Sequence, residues 1–302
     1  MKKEPLVSIL MNCYNGETYL KEAIDSIYAQ TFQNFEIIFI DNCSIDKSTE
    51  IAKSYDERLK YYKTEKNISL GAARNFGMKF VTGDYLAFLD TDDAWLEQKL
   101  EMQLKVINKN IAFVYSPVYQ INSKNKIIRT TKINKIKNLK SLLVRYDINM
   151  HSTLINLSLI KVQFNETFVY CPDYDLFMNI VVNNLNYESI DIPLVKYRIH
   201  DKSLSTKTTN IQFSEVLLVL KKIKLNYPLM YTQNINAFLV AEGKFKYIIS
   251  AKKFLSKGEY LKASEMLLKL SKYDKKYFII SIMLAIPKFN NIVYKKYIYK
   301  YV

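Results

Sequence analysis

Cysteine, proline, glycine, histidine and tryptophan are all scarce in this 302-residue chain, which holds three, six, six, two and one of them. Cys13, Cys43 and Cys171 form no CxxC or Cys/His zinc spacing, and an odd count argues against a disulfide framework. A reducing cytoplasm is the expected setting. The chain also has no G-x-G-x-x-G after its first apolar run and no G-x-x-x-x-G-K-[ST] anywhere, so dinucleotide and P-loop readings lose their main support. Long apolar runs are missing too. Lys2 and Lys3 precede a short apolar stretch that Glu4 and Pro5 interrupt, which does not make a signal peptide. Without export, the sequons at Asn67 and Asn165 have no role. Tyr277–Ile286 is apolar but too short to span a bilayer.

What the chain does have is apolar mass and a lopsided charge. Hydrophobic residues make up 49% of it, enough for a substantial core and against disorder. Its net charge is +15, yet Lys207–Val302 carries 18 lysines against five acidic residues, so that tail holds +13 and the first 206 residues only +2. The two parts are expected to form separate regions, 1–206 and 207–302, that meet different partners.

The first part alternates short apolar runs with helical periodicity. Leu6–Met11 is followed by Leu20, Ala23, Ile24 and Ile27 at helical spacing, and then by the apolar run Phe35–Ile40. A helix is predicted near Ser48–Tyr55, a strand at Leu59–Lys63, a helix over Ala72–Val81 and a strand at Tyr85–Leu89. Such alternation predicts an α/β fold with a mostly parallel sheet flanked by helices, whose ligands sit at the carboxyl ends of the strands. Gly16, Gly71, Gly77 and Gly83 fall at the predicted turns and helix entries, where positive φ or close approach is useful. After about Ser205 strand patterns stop. Ala251–Lys257 and Tyr260–Lys269 read as a helical hairpin, one unit and not a repeat array.

Carboxylates end the strands where glycines are missing. Asp90-Thr91-Asp92-Asp93 follows the run Tyr85–Leu89, and hard divalent cations take such oxygen ligands together with substrate phosphates. The plainer alternative is that Asp92 or Asp93 caps a helix starting near Ala94.

Six ordered segments decide between these. Val7–Asn15, Ile40–Thr49, Gly71–Asn75, Leu89–Asp93, His151-Ser152 with Asp173–Leu176, and Tyr197–His200 together resemble the family 2 glycosyltransferases of the GT-A fold, over about residues 5–206. The resemblance implies an inverting enzyme that moves a sugar from a nucleotide diphosphate, a UDP-sugar first, to an acceptor hydroxyl with the help of Mn²⁺ or Mg²⁺. It further implies saccharide or lipid-linked saccharide acceptors, in bacterial surface polysaccharide or glycolipid assembly.

Roles attach to matching positions. Asn12 and Tyr14 would border the nucleotide, Tyr14 offering an aromatic face to the base. Asp41 is followed by Asn42 where the family usually has a second aspartate; Asn42 can still accept a hydrogen bond, but the preference for uracil loosens. Arg74 would approach the phosphate or base as a permanent cation. Asp92 and Asp93 would form the metal motif, with Asp93 the first choice for direct contact, and Asp90 would meet the donor sugar or ribose. The cation's task is to neutralise charge on the departing diphosphate. Asp173 is the candidate base for the acceptor hydroxyl, held as an anion at a helix N-terminus, with Asp175 the fallback. Pro172 stands where the family usually has glutamate, so an orienting partner of the base is lost. His200 would touch the diphosphate or complete the metal shell, and His151 would line the acceptor cleft or pack. A single base without a second nucleophile favours one direct displacement, hence inversion.

The basic tail suits a helical surface on an anionic membrane, which implies a peripheral location at the inner face of the cell membrane. Its lysines alternatively solvate a helical cap or a homo-oligomer face; no compact nucleic-acid motif supports RNA binding. Two competing functions carry weight. Asn42 and Pro172 replacing acidic residues suggest a sugar-nucleotide-binding module or pseudoenzyme, and a sugar-nucleotide pyrophosphorylase shares the α/β design but wants a Gly- and Arg-rich first loop that Cys13–Gly16 lacks.

Overall fold

The computed structural model describes residues 4–134, 137–201, 203, 210–272 and 276–286. The chain divides into two compact units, one of Met1–Asn138 with Tyr146–His200 and one of Leu139–Arg145 with Asp201–Val302. The boundary expected at 206/207 lies outside the described residues, as do the lysines and tyrosines after residue 286.

In the first unit the elements run β1 (Val7–Cys13), α1 (Glu17–Tyr28), β2 (Phe35–Asp41), α2 (Ser48–Lys53), β3 (Leu59–Lys63), α3 (Leu70–Met78), β4 (Tyr85–Phe88), β5 (Ala94–Trp95) and α4 (Lys99–Val106). They continue with β6 (Ile111–Tyr115), β7 (Val118–Ile121) and β8 (Ile127–Thr130), then, after α5 (Leu139–Val144) of the other unit, β9 (Leu154–Asn156), α6 (Pro172–Val182), β10 (Asn186–Ser189) and β11 (Val195–Arg198). A seven-stranded sheet has the order β10-β6-β9-β4-β1-β2-β3. It is mostly parallel, as the alternation predicts; β9 alone runs antiparallel to both of its neighbours. All seven residues of β2 are buried, because both faces of the sheet are covered and the strand is apolar throughout its middle. On α1, Leu20, Ala23, Ile24 and Ile27 are the buried stripe.

The early glycines serve close approach and not unusual backbone. A Cβ at Gly77 would lie 2.3 Å from Leu10 Cδ1, so α3 lies tightly on β1, and one at Gly16 would lie 2.8 Å from Thr91 Oγ1. That second contact seats the loop after β1 against the acidic motif. The left-handed backbone is taken instead by Asn15, Cys43, Asn125, Asn184 and, in the helical unit, Gly258.

The helix expected from Ala94 does not start there. Ala94–Trp95 is strand β5, paired antiparallel with β11 in a second sheet of order β5-β11-β7-β8, and α4 begins only at Lys99. Asp92 and Asp93 therefore cap no helix. They lie on the link that carries the chain from β4 of the large sheet to β5 of the small one.

The second unit is helical: α5, α7 (Asn210–Asn226), α8 (Pro228–Gln233), α9 (Ile235–Ser256), α10 (Tyr260–Leu270) and α11 (Lys276–Ala285). Ile248, Ala251 and Leu255 of α9 pack with Ala263, Leu267 and Leu270 of α10 and with Tyr277, Ile280 and Leu284 of α11. The predicted hairpin is present, turned by Gly258 at φ 71°. No helix among the described residues is long and apolar enough to cross a membrane.

Candidate active site

Three neighbouring strands deliver polar side chains to the carboxyl edge of the large sheet: Asn12 from β1, Asp41 from β2 and Asp90 just after β4. Asn12 is the unusual one. Its Oδ1 and Nδ2 are both buried and neither has a hydrogen-bond partner among the described residues. A buried amide left in this way loses stability unless water or a ligand satisfies it. Tyr14, two residues on, is 57% exposed.

Asp41 and Asn42 are spent on shaping the wall beside them. The Asp41 carboxylate accepts from Ser44 N–H at 2.7 Å, the Thr49 hydroxyl at 2.8 Å and the Tyr61 hydroxyl at 2.6 Å. Burial works against its charge, but those hydrogen bonds outweigh it and keep the carboxyl below the ordinary range. Asn42 accepts from Ile68 N–H and Thr64 and donates to Ile68 O, which ties β2 to the segment before α3. The loop after β1 is fastened to the same region, with Asn15 N–H donating to Ser44, Gly16 N–H to Ser48, and Asn15 Oδ1 accepting from Ile45 N–H.

The acidic motif splits its carboxylates between two environments. Asp93, expected to meet a metal directly, is 1% exposed. Its Oδ1 accepts the Arg198 N–H at 2.8 Å and its Oδ2 lies 2.5 Å from His151 Nδ1, in contact but not aligned as a hydrogen bond. Burial pushes its carboxyl up to about 6 against the pull of His151. Asp92 and Asp90 stay partly open, with side chains 32% and 35% exposed. Asp92 Oδ2 sits 3.0 Å from His200 Nε2, and Asp90 receives His151 Nε2 at 2.8 Å and the Arg74 guanidinium at 3.6 Å. Burial opposes the Asp90 charge, yet His151, with Arg74 behind it, holds its carboxyl well below the ordinary range.

His151 is thus the bridge of the motif, which its sequence position did not reveal. It lies in a 3₁₀ turn, Met150–Ser152, and touches Asp90 with one ring nitrogen and Asp93 with the other. Burial disfavours its charge, but the two carboxylates overcome that and keep the ring protonated well above the usual histidine range. Arg198 is the second residue whose role appears only in three dimensions. It is 1% exposed, donates to Asp92 O at 2.8 Å and Glu22 at 2.7 Å, and stacks over Tyr19. Its partner Asp92 is over a hundred residues away, so the Tyr197–His200 segment marks its place without showing what it holds.

Arg74 of α3 is buried and, besides Asp90, faces the rings of Phe88 and Phe164. Asp173 occupies the first turn of α6 behind Pro172 at the helix start, and the N-cap, Cys171, supplies no side-chain bond. Burial raises the Asp173 carboxyl above the ordinary value, opposed by Arg74, by N–H groups at the helix start and by His151. Those opposing charges place Asp173 in the same electrostatic neighbourhood as Asp90. Asp175 is 3% exposed, whereas Asp173 is only partly buried, which makes Asp173 the more accessible carboxylate of the pair.

Whether a divalent cation suits these residues can be judged from the donor set. No three His, Cys, Asp or Glu side chains converge on one point among the described residues. Asp92 with His200 is a partly open pair of donors, and cations that retain water and take substrate phosphates need only one or two carboxylates from the protein. The pair fits.

Comparison with known proteins identifies the family and the fold. The model of the glycosyl transferase family 2 matches residues 8–179, more than half of the chain. The chain belongs to glycosyl transferase family 2. Within the family it is 32% identical over 205 residues, 67% of this chain and 80% of the other, to the UDP-Glc:alpha-D-GlcNAc-diphosphoundecaprenol beta-1,3-glucosyltransferase WfgD of Escherichia coli. Among solved structures, S. aureus TarS 1-349 in complex with UDP-GlcNAc superimposes with a TM-score of 0.67 at 16% identity, covering 98% of this chain and 89% of TarS. The mannosyltransferase PcManGT from Pyrobaculum calidifontis, in complex with GDP-Man and Mn²⁺, does so with 0.62 at 12%, covering 99% and 86%. The fold of this glycosyltransferase is therefore GT-A: an α/β sheet flanked by helices, followed by a helical region.

Proposed function

We propose that this glycosyltransferase performs a single, inverting displacement, moving a sugar from a UDP-sugar to a hydroxyl of a lipid-linked saccharide during surface polysaccharide or glycolipid assembly. The observation that carries the reading is the division of labour in the acidic motif: Asp93 and Arg198 are locked inside, while Asp90, Asp92 and His200 remain open at the strand ends. Asn12, with its unpartnered amide, and Tyr14 receive the nucleotide, against the wall that Asp41 and Asn42 build. Arg74 and Asp90 orient the donor. Asp92 and His200 hold Mn²⁺ or Mg²⁺, and Asp93 supports them from behind instead of meeting the cation. The bound cation supplies positive charge to the leaving diphosphate. Asp173 takes the proton of the acceptor hydroxyl, and its raised pKa brings it closer to that task than a solvated aspartate.

WfgD acts on a diphosphoundecaprenol-linked sugar, which supports a lipid-linked acceptor here. The lysine-rich helical unit then rests on the anionic inner membrane surface where that acceptor resides. The test is to incubate the enzyme with UDP-glucose, UDP-GlcNAc or UDP-galactose, Mn²⁺ and a diphosphate-lipid-linked GlcNAc, and to read the anomeric configuration of the product by NMR. A β-linked product supports the reading. An α-linked product, or no product with any donor, overturns it.

A further inference from the structure

Trp95, Lys99 and Gln103 stand four residues apart along β5 and α4, and each sends an N–H donor to a different carbonyl of one short segment. Trp95 Nε1 donates to His151 O at 3.1 Å, Gln103 Nε2 to Ser152 O at 2.8 Å and Lys99 Nζ to Thr153 O at 3.3 Å. The three acceptors are consecutive. The donors are also joined to one another: Lys99 Nζ donates to Gln103 Oε1 at 2.8 Å and lies 4.0 Å from the centre of the Trp95 indole, while Gln103 also reaches Val114 O.

Core filling does not explain this choice of residues. Lys99 and Gln103 are completely buried, and burial drives the Lys99 amine well below its ordinary pKa with no carboxylate to offset the cost. Methionine or leucine would fill the same space without that cost. What the polar groups gain is a hold on a segment that precedes β9 and has no sheet partner of its own at residues 151–153. That segment carries the ring bridging Asp90 and Asp93.

We infer that Trp95, Lys99 and Gln103 are positioning residues for glycosyl transfer: by gripping carbonyls 151–153 they fix the His151 ring between Asp90 and Asp93, and so set Asp90 for the donor. The clamp acts through His151 and touches no substrate. This inference rests on the transferase reading, so its test has one readout that needs no turnover. The chain has only two histidines, and a His151→Asn variant assigns the imidazole N–H signals in the NMR spectrum. In Gln103→Leu and Lys99→Met the His151 signals are expected to shift or exchange with water while those of His200 stay. Turnover is expected to fall on the order of tenfold to hundredfold in kcat, with the acceptor KM unchanged. In the His151→Asn background the same substitutions should cost less than about twofold more. Unmoved His151 signals, or an equal loss of kcat in both backgrounds, overturn the clamp. A wild type that turns over no sugar nucleotide refutes the transferase reading alone, and the His151 signals then judge the clamp. If Gln103→Leu fails to fold, Lys99→Met, which keeps the length and apolar surface of the side chain, decides.

Discussion

In the sheet-bearing unit, Arg74, Asp93, Lys99 and Arg198 all lie in the interior, each against identified partners, whereas in the helical unit Lys246 and Lys262 sit on the surface beside Glu242 and Glu259 one turn away. The contrast shows two uses of charge. Taking an ion out of water is costly, so the first unit retains its buried charges where they fix other groups, as the Arg198 guanidinium fixes the Asp92 carbonyl and Glu22. In the helical unit Lys246 and Lys262 stay solvated, where one pair adds a few tenths of a kcal/mol at most and the collective field matters more.

The sharpest way to test that contrast is at the accessible carboxylate of the first unit. Asp173→Asn should lower kcat about 10²- to 10⁴-fold while leaving binding of the nucleotide diphosphate intact, measured by turnover and calorimetry. Next comes structure. Arg198→Met leaves the Asp92 carbonyl and Glu22 without the guanidinium that holds them and should destabilise the protein by about 1–3 kcal/mol in denaturant unfolding, whereas Lys246→Met should stay within about 0.5 kcal/mol. Equal effects at the two sites would erase the distinction between the units. A smaller effect concerns pH. The base works deprotonated, so kcat falls as pH drops through the Asp173 pKa; because burial raises that value, the acid limb should lie above that of an ordinary aspartate. The limb should vanish in Asp173→Asn. The mildest effect belongs to the tail, where flotation with anionic vesicles should carry the protein at low salt and release it as salt rises. Retention in solution at low salt would remove the membrane role.

The sequence makes legible those features whose cause is local. Leu20, Ala23, Ile24 and Ile27 announce α1 by their spacing, and Asp90–Asp93 announce a strand-end acidic site because the carboxylates are adjacent. Strand β5 was illegible: two residues are too few for any period, so Ala94 and Trp95 read as a helix start. The opposite fates of Asp92 and Asp93 were hidden for a related reason, since both lie at the turn after β4 that Asp93 N–H closes on Asp90 O, and which carboxylate turns inward depends on Arg198 and His151 far along the chain. His151 and Lys99 show the same limit. Their partners are set by packing between distant segments, and a lone histidine or a lysine in a charged stretch gives no sign of it.

The central claim is that the open residues of the acidic motif, and not its buried one, meet the cation and diphosphate. Calorimetric titration of the protein with UDP, GDP and dTDP, with and without Mn²⁺, for the wild type and Asp92→Ala tests it most directly. The account predicts that UDP binds more tightly with Mn²⁺ and that Asp92→Ala abolishes this dependence. Binding of none of the three diphosphates, or a Mn²⁺ dependence that survives in Asp92→Ala, would contradict it.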